Sequence, residues 1–122
     1  MKLEPLEKHE DYRGLLVEAY EFPNDGQVFY VIVNPEEMRG GHYHLRKTET
    51  FLVIYGSAVI TVKNRDTGDI IKAEVSGSKP MRVTVTPNHT HMLTATKEGC
   101  IFMVWADEIY DEKDNDTYME EI

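Results

Sequence analysis

Only one cysteine, Cys100, occurs in the 122 residues, so no disulfide forms within the chain. Set between Gly99 and Ile101 in an apolar run, it reads as a core thiol. Long hydrophobic runs are missing: the longest, Cys100 to Ala106, falls far short of the ~20 residues a membrane span needs. No leader pattern shows either, because Lys2, Glu4, Glu7, Lys8, Glu10 and Asp11 interrupt any apolar stretch at the start. These absences predict a cytoplasmic protein without a membrane partner. A Gly-x-Gly-x-x-Gly fingerprint is also missing, and a chain of this length leaves no room for a dinucleotide domain, so no nicotinamide cofactor is expected. Basic charge is scarce: 13 Lys and Arg face 22 Asp and Glu, a net −9. That excludes nucleic acid, which calls for a basic surface. Residues 107–122 carry eight of the acids and one of the bases, so the body is close to neutral and the tail is acidic.

What is present reads as strands. Residues 15–22 stop at Pro23-Asn24-Asp25-Gly26, a cluster of turn formers. Residues 27–33 follow, rich in β-branched and aromatic side chains, and end at Asn34-Pro35. Phe51 to Tyr55 runs into Gly56-Ser57, and Ala58 to Val62 leads away, which predicts a hairpin there. Residues 64–69 and 76–80 mark two more turns. Arg82 to Thr86 alternates with one face buried, and Ile101 to Trp105 is apolar on both faces, as for a central strand or a subunit contact. Eight or nine short strands at this spacing make a sandwich or barrel. The expected fold is an all-β jelly roll forming a single domain over 1–122, with a barrel at about 11–106 and an acidic C-terminal arm at 107–122. The arm's end, from Asp114, is expected as a short helix or an extended segment, with Tyr110 and Tyr118 packed on the barrel or on a second subunit.

Four of the five histidines fall in two pairs. His42-Tyr43-His44, introduced by Arg39-Gly40-Gly41, puts two imidazoles on one strand face, because side chains alternate with period 2. Glu49 follows five residues after His44. His89-Thr90-His91, after Pro87, repeats the arrangement. Three imidazoles and a carboxylate gathered inside a barrel suit zinc, iron, manganese or nickel. His-x-His, four residues, Glu, six residues, Gly, and later Pro followed by His is the cupin pattern.

The chain resembles one branch of the cupins in particular. Arg13-Gly14, Gly26-Gln27-Val28-Phe29, Arg39 to His44, Thr48 to Ile54 and Thr90-His91 carry the resemblance, with the acidic segments Trp105 to Asp111 and Asp116 to Glu121. They are similar to the C-terminal cupin domain of capsular polysaccharide assembling enzymes, bifunctional proteins that epimerise and reduce a UDP-linked keto sugar. More distantly they are similar to dTDP-sugar 3,4-ketoisomerases and dTDP-4-keto sugar 3,5-epimerases. The resemblance implies a sugar-nucleotide isomerase or epimerase in capsule and surface polysaccharide biosynthesis, with any reduction left to a separate reductase. Its implied ligand set is His42, His44, Glu49 and His91, position favouring His91 over His89, with zinc first among the metals. His89, Tyr43 or Tyr30 would then be the base; in a metal-free version His42 and His44 shuttle the proton themselves. Arg39 is the candidate grip for a diphosphate, against a pairing with Glu36 or Glu37, and Tyr30 and Tyr55 are candidates to line a sugar pocket. Arg46 and Lys47 read as solvated. A homodimer, paired through sheet edges, is expected. The competing readings are an iron-dependent dioxygenase on the same ligands, and a non-catalytic sugar-binding subunit.

Overall fold

The turn formers divide the chain as the sequence suggests, with one exception. In the computed structural model, which describes residues 1–122, the strands are β1 (Lys8–Asp11), β2 (Gly14–Phe22), β3 (Gly26–Val33), β4 (Met38–Tyr43), β5 (Glu49–Asn64), β6 (Ile70–Ser76), β7 (Arg82–Val85), β8 (His89–Ala106) and β9 (Tyr118–Met119). A single 3-10 turn at Glu112–Asp114 is the only helical segment, so the protein is all-β. No helix is long and apolar enough to cross a membrane.

The exception is Gly56. Instead of turning a hairpin, it lies inside β5, which continues for 16 residues. Its φ of 72° lies where only glycine is relaxed, and a Cβ there would collide with the carbonyl oxygen of Gly99. The pairing of β5 with β8 shifts register on either side of this point. Bulges of this kind bend and twist a strand, and here they let two long strands run through both halves of the curled sheet. In one half β8 lies between β3 and β5; in the other it lies between β4 and β5.

The two halves close on each other around one apolar cluster, which takes Val31 and Val33 from β3, Phe51, Val53, Ala58 and Ile60 from β5, and Leu93, Phe102 and Val104 from β8. Apart from the 3-10 turn at Glu112–Asp114, residues after Ala106 form an extended arm. Its last strand, β9, pairs with β4, and the Tyr118 ring stacks on Tyr43 with centroids 5.3 Å apart.

Candidate functional site

The site begins with a bulge. Gly40 and Gly41 both have positive φ, and a Cβ on Gly40 would sit 2.7 Å from the carbonyl oxygen of His91. Glycine lets β4 press against β8 there, and after the register shift His42 lies directly opposite His91. His44 follows on the same face at the end of β4, and Glu49 opens β5, paired with Ala106 and Val85. The ring centroids of His42, His44 and His91 are 4.8 to 5.3 Å apart. With a carboxylate oxygen of Glu49, one nitrogen from each ring lies within 4.8 Å of all the others.

The main chain assigns the tautomers. A carbonyl only accepts, so His44 Nδ1–H donates to the Asp116 carbonyl at 2.7 Å and His91 Nδ1–H to that of His89 at 3.1 Å. Both rings therefore turn an Nε2 lone pair toward Glu49 Oε1, at 2.7 and 3.2 Å. His91 Nε2 is buried without a hydrogen-bond partner. Two lone pairs and a carboxylate converging on one point require a proton or a cation between them. Burial, then the neighbouring His91 and His44, push the His42 imidazole down to about 3, which keeps it neutral and able to ligate. Burial alone would raise the Glu49 carboxyl, but with such a proton in place hydrogen bonds from His44 and His91 outweigh it and hold Glu49 well below the usual carboxylate range. A set of neutral nitrogens and one anionic oxygen fits a divalent ion of borderline softness.

These residues stand at one side of a cavity of about 380 Å³, walled by apolar side chains such as Phe29, Val31, Phe51 and Phe102. Arg39 also lines it, half-buried, and pairs with neither Glu36 nor Glu37 nor any other acid. Burial, and then the charge of Arg13, lower its pKa from the usual guanidinium value.

Four other sequence candidates do not face the cavity. Tyr30 lies between Phe29 and Val31, which do, so strand alternation turns it outward. Tyr43 is turned out for the same reason between His42 and His44, held by Tyr118 and by the Arg65 guanidinium 3.7 Å above its ring. A register shift between Val53 and Tyr55 reverses parity, leaving Tyr55 66% exposed. His89 sits at the start of β8 opposite Asn64, with its ring on the Pro87 carbonyl and the Thr86 hydroxyl.

Three features were not read from the sequence. Lys47, far from solvated, is 8% exposed, lines the cavity and has no acidic partner. Asp116, one acid among many in the arm, is 4% exposed and accepts backbone hydrogen bonds from Leu45, Arg46 and Lys47. Burial works against its ionisation, yet those three donors hold its carboxyl below the ordinary value. His9 and Glu18, from β1 and β2, line the cavity as a hydrogen-bonded pair. Arg46 is also not simply solvated, since it grips Glu108 and Asp114 of the arm.

The chain is similar in sequence and fold to several known proteins. The family described as Polysaccharide biosynthesis C-terminal domain matches residues 9–118. Over 111 residues, 90% of the chain, there is 38% identity to UDP-2-acetamido-2,6-beta-L-arabino-hexul-4-ose reductase of Pseudomonas aeruginosa, of which the chain covers only 30%. TDP-4-oxo-6-deoxy-alpha-D-glucose-3,4-oxoisomerase of Aneurinibacillus thermoaerophilus is 30% identical over 85% of the chain and 76% of that enzyme. The crystal structure of the capsular polysaccharide assembling protein CapF from Staphylococcus aureus superposes with a TM-score of 0.93 at 32% identity, covering 98% of the chain and 33% of CapF. The chain thus spans about a third of the reductase and of CapF.

Proposed function

The chain belongs to the Polysaccharide biosynthesis C-terminal domain family, and from that premise we propose that it is an isomerase of nucleotide-linked keto sugars. It moves a proton at the carbon beside the ketone, as an epimerase or ketoisomerase. The observation that carries this reading is the convergence of His42, His44, Glu49 and His91 at one side of a cavity that also presents an unpaired arginine and an unpaired lysine. The names of the reductase and the oxoisomerase both describe a nucleotide-linked hexose with an oxo group at position 4, which supports the substrate class.

His42, His44, Glu49 and His91 would hold a divalent ion, zinc first and iron, manganese or nickel next, which would supply Lewis-acid stabilisation for the charge that forms on a ketone oxygen. Arg39 has its fork of donors free for a diphosphate. Lys47 adds positive charge among the apolar walls of the cavity, where it favours an enolate over the neutral ketone. The apolar walls keep that charge from being screened.

The test is incubation in heavy water with UDP- and dTDP-4-keto-6-deoxy sugars, following deuterium uptake by mass spectrometry. Uptake beside the ketone supports the reading; a metal-loaded protein giving none with either sugar overturns it. In the same assay Arg39→Ala is expected to raise KM for the nucleotide sugar about 30-fold and leave that for a free keto sugar nearly unchanged, since charged hydrogen bonds are worth about 1.5–3 kcal/mol.

The homodimer reading rests on the outer sheet face rather than on its edges. There Tyr20, Ile32, Leu52, Tyr55, Met103 and Trp105 stand on four adjacent strands, several of them well exposed. A solvated sheet face is ordinarily polar. Sedimentation at micromolar concentration is expected to give a dimer and Met103→Lys a monomer; a monomeric native protein overturns the dimer.

A further inference from the structure

With Tyr30, Tyr43 and His89 turned away from the cavity, the proton acceptor must be sought among the titratable groups that line it and are not in the ligand set. Most of these are cations or weak bases at neutral pH. His9 is different. Its Nε2 lies 3.3 Å from Glu18 Oε2. A carboxylate only accepts, so in the neutral ring Nε2 carries the proton and Nδ1 is left with a lone pair and no protein partner.

Glu18 is itself held in place. Its Oε1 accepts from Gln27 Nε2 at 3.0 Å. The orientation of the Gln27 amide is set in turn, because its Oε1 accepts from the Tyr110 backbone N–H at 3.0 Å. Gln27 is 3% exposed, so a buried amide is spent on orienting a carboxylate, and that carboxylate on orienting an imidazole. A base within hydrogen-bond reach of a carboxylate that is oriented by a third group is the arrangement proton-transfer sites use. The chain runs from the arm through β3 and β2 to β1, and ends on a ring at the cavity.

We propose that His9 is the general base of this site, with Glu18 and Gln27 as positioning residues, a role that rests on the keto-sugar reading above. In the step, the C–H bond beside the ketone breaks and its proton passes to His9 Nδ1. The electron pair left behind forms the enolate double bond, and the carbonyl π pair moves onto oxygen. Return of the proton to carbon regenerates the ketone, with no oxidant or reductant consumed.

Chemical rescue tests this directly, because His9 is exposed enough at 59% of its side chain for a small molecule to take its place. His9→Ala is expected to cut the deuterium uptake rate about 100-fold with KM for the nucleotide sugar and bound metal unchanged, general bases being worth 10²–10⁴. Imidazole in the medium is expected to restore at least a tenth of the lost rate. Glu18→Gln is expected to lose about 10-fold and gain nothing from imidazole. Wild-type rate in His9→Ala, or a loss that imidazole does not repair, overturns the assignment while leaving the keto-sugar reading intact. Absence of uptake in the metal-loaded wild type overturns both. Independently of turnover, nitrogen NMR of the neutral ring is expected to place the His9 proton on Nε2 in the wild type. A proton on Nδ1 overturns the proposal.

Discussion

His44→Ala is expected to reduce bound divalent metal from one per chain to below a tenth and to slow deuterium uptake about 1,000-fold. His44 holds the tightest contact of the site, 2.7 Å to Glu49. Its other nitrogen is tied to the Asp116 carbonyl, which fixes the ring that the substitution removes. The fold is expected to survive, since His44 is the first residue beyond β4 and does not belong to the apolar cluster. Metal analysis, uptake and far-UV circular dichroism on one preparation check this. His89→Ala is the matched control, and its metal content and rate should stay within about twofold of wild type, because its ring lies outside the cavity. A His44→Ala protein that folds and retains its rate would exclude both the metal-assisted and the metal-free histidine mechanisms.

Asp116→Ala carries the largest expected effect on stability, a loss of about 3 kcal/mol. The carboxylate receives three backbone N–H groups in succession, from Leu45, Arg46 and Lys47. Bonds to a charged acceptor are worth about 1.5–3 kcal/mol each, and water recovers part of that at the exposed residues Leu45 and Arg46. Against a total of about 5–15 kcal/mol this is a large fraction, and for a domain of this size it corresponds to a fall in Tm of about 10 °C. Asp116→Asn retains one acceptor oxygen and should recover roughly half. Metal affinity should fall by less than the 10–100-fold typical of losing an outer-shell partner, because the carbonyl that orients His44 belongs to the main chain. Thermal unfolding together with zinc titration reads both quantities. An unchanged Tm in Asp116→Ala would mean that the arm does not hold the link before β5.

Much of this was legible in the residues themselves. Strand alternation alone places His42 and His44 on one face, and the run of turn formers separates β2 from β3. Parity failed where a bulge intervened. Tyr55 has the right spacing from Glu49 to share its face, but the irregularity at Ile54 reverses it, and no local composition announces such a shift. Gly56 marks a break in the strand pattern without saying of what kind, because positive φ serves a bend inside a strand as well as a turn between strands. Lys47 looked solvated because its sequence neighbours are polar. What buries it is the arm, some sixty residues later. His9 belongs to Lys-His-Glu-Asp, a segment without apolar pattern, and its partnership with Glu18 follows only from the pairing of β1 with β2. Asp116 was hidden among like charges. Local patterns thus revealed the ligands, whereas groups assembled by register or by the returning arm stayed out of reach.

The two carbonyls that hold the rings of His44 and His91 have a consequence for how such a site tolerates change. A side chain that orients an imidazole disappears with one substitution, but a peptide oxygen is supplied by any residue in its place. The tautomers are therefore insulated from drift at positions 89 and 116. The cavity wall beyond them can diverge, acquiring or losing an acid, an amine or a pair like His9 and Glu18, while the coordinating lone pairs keep their aim.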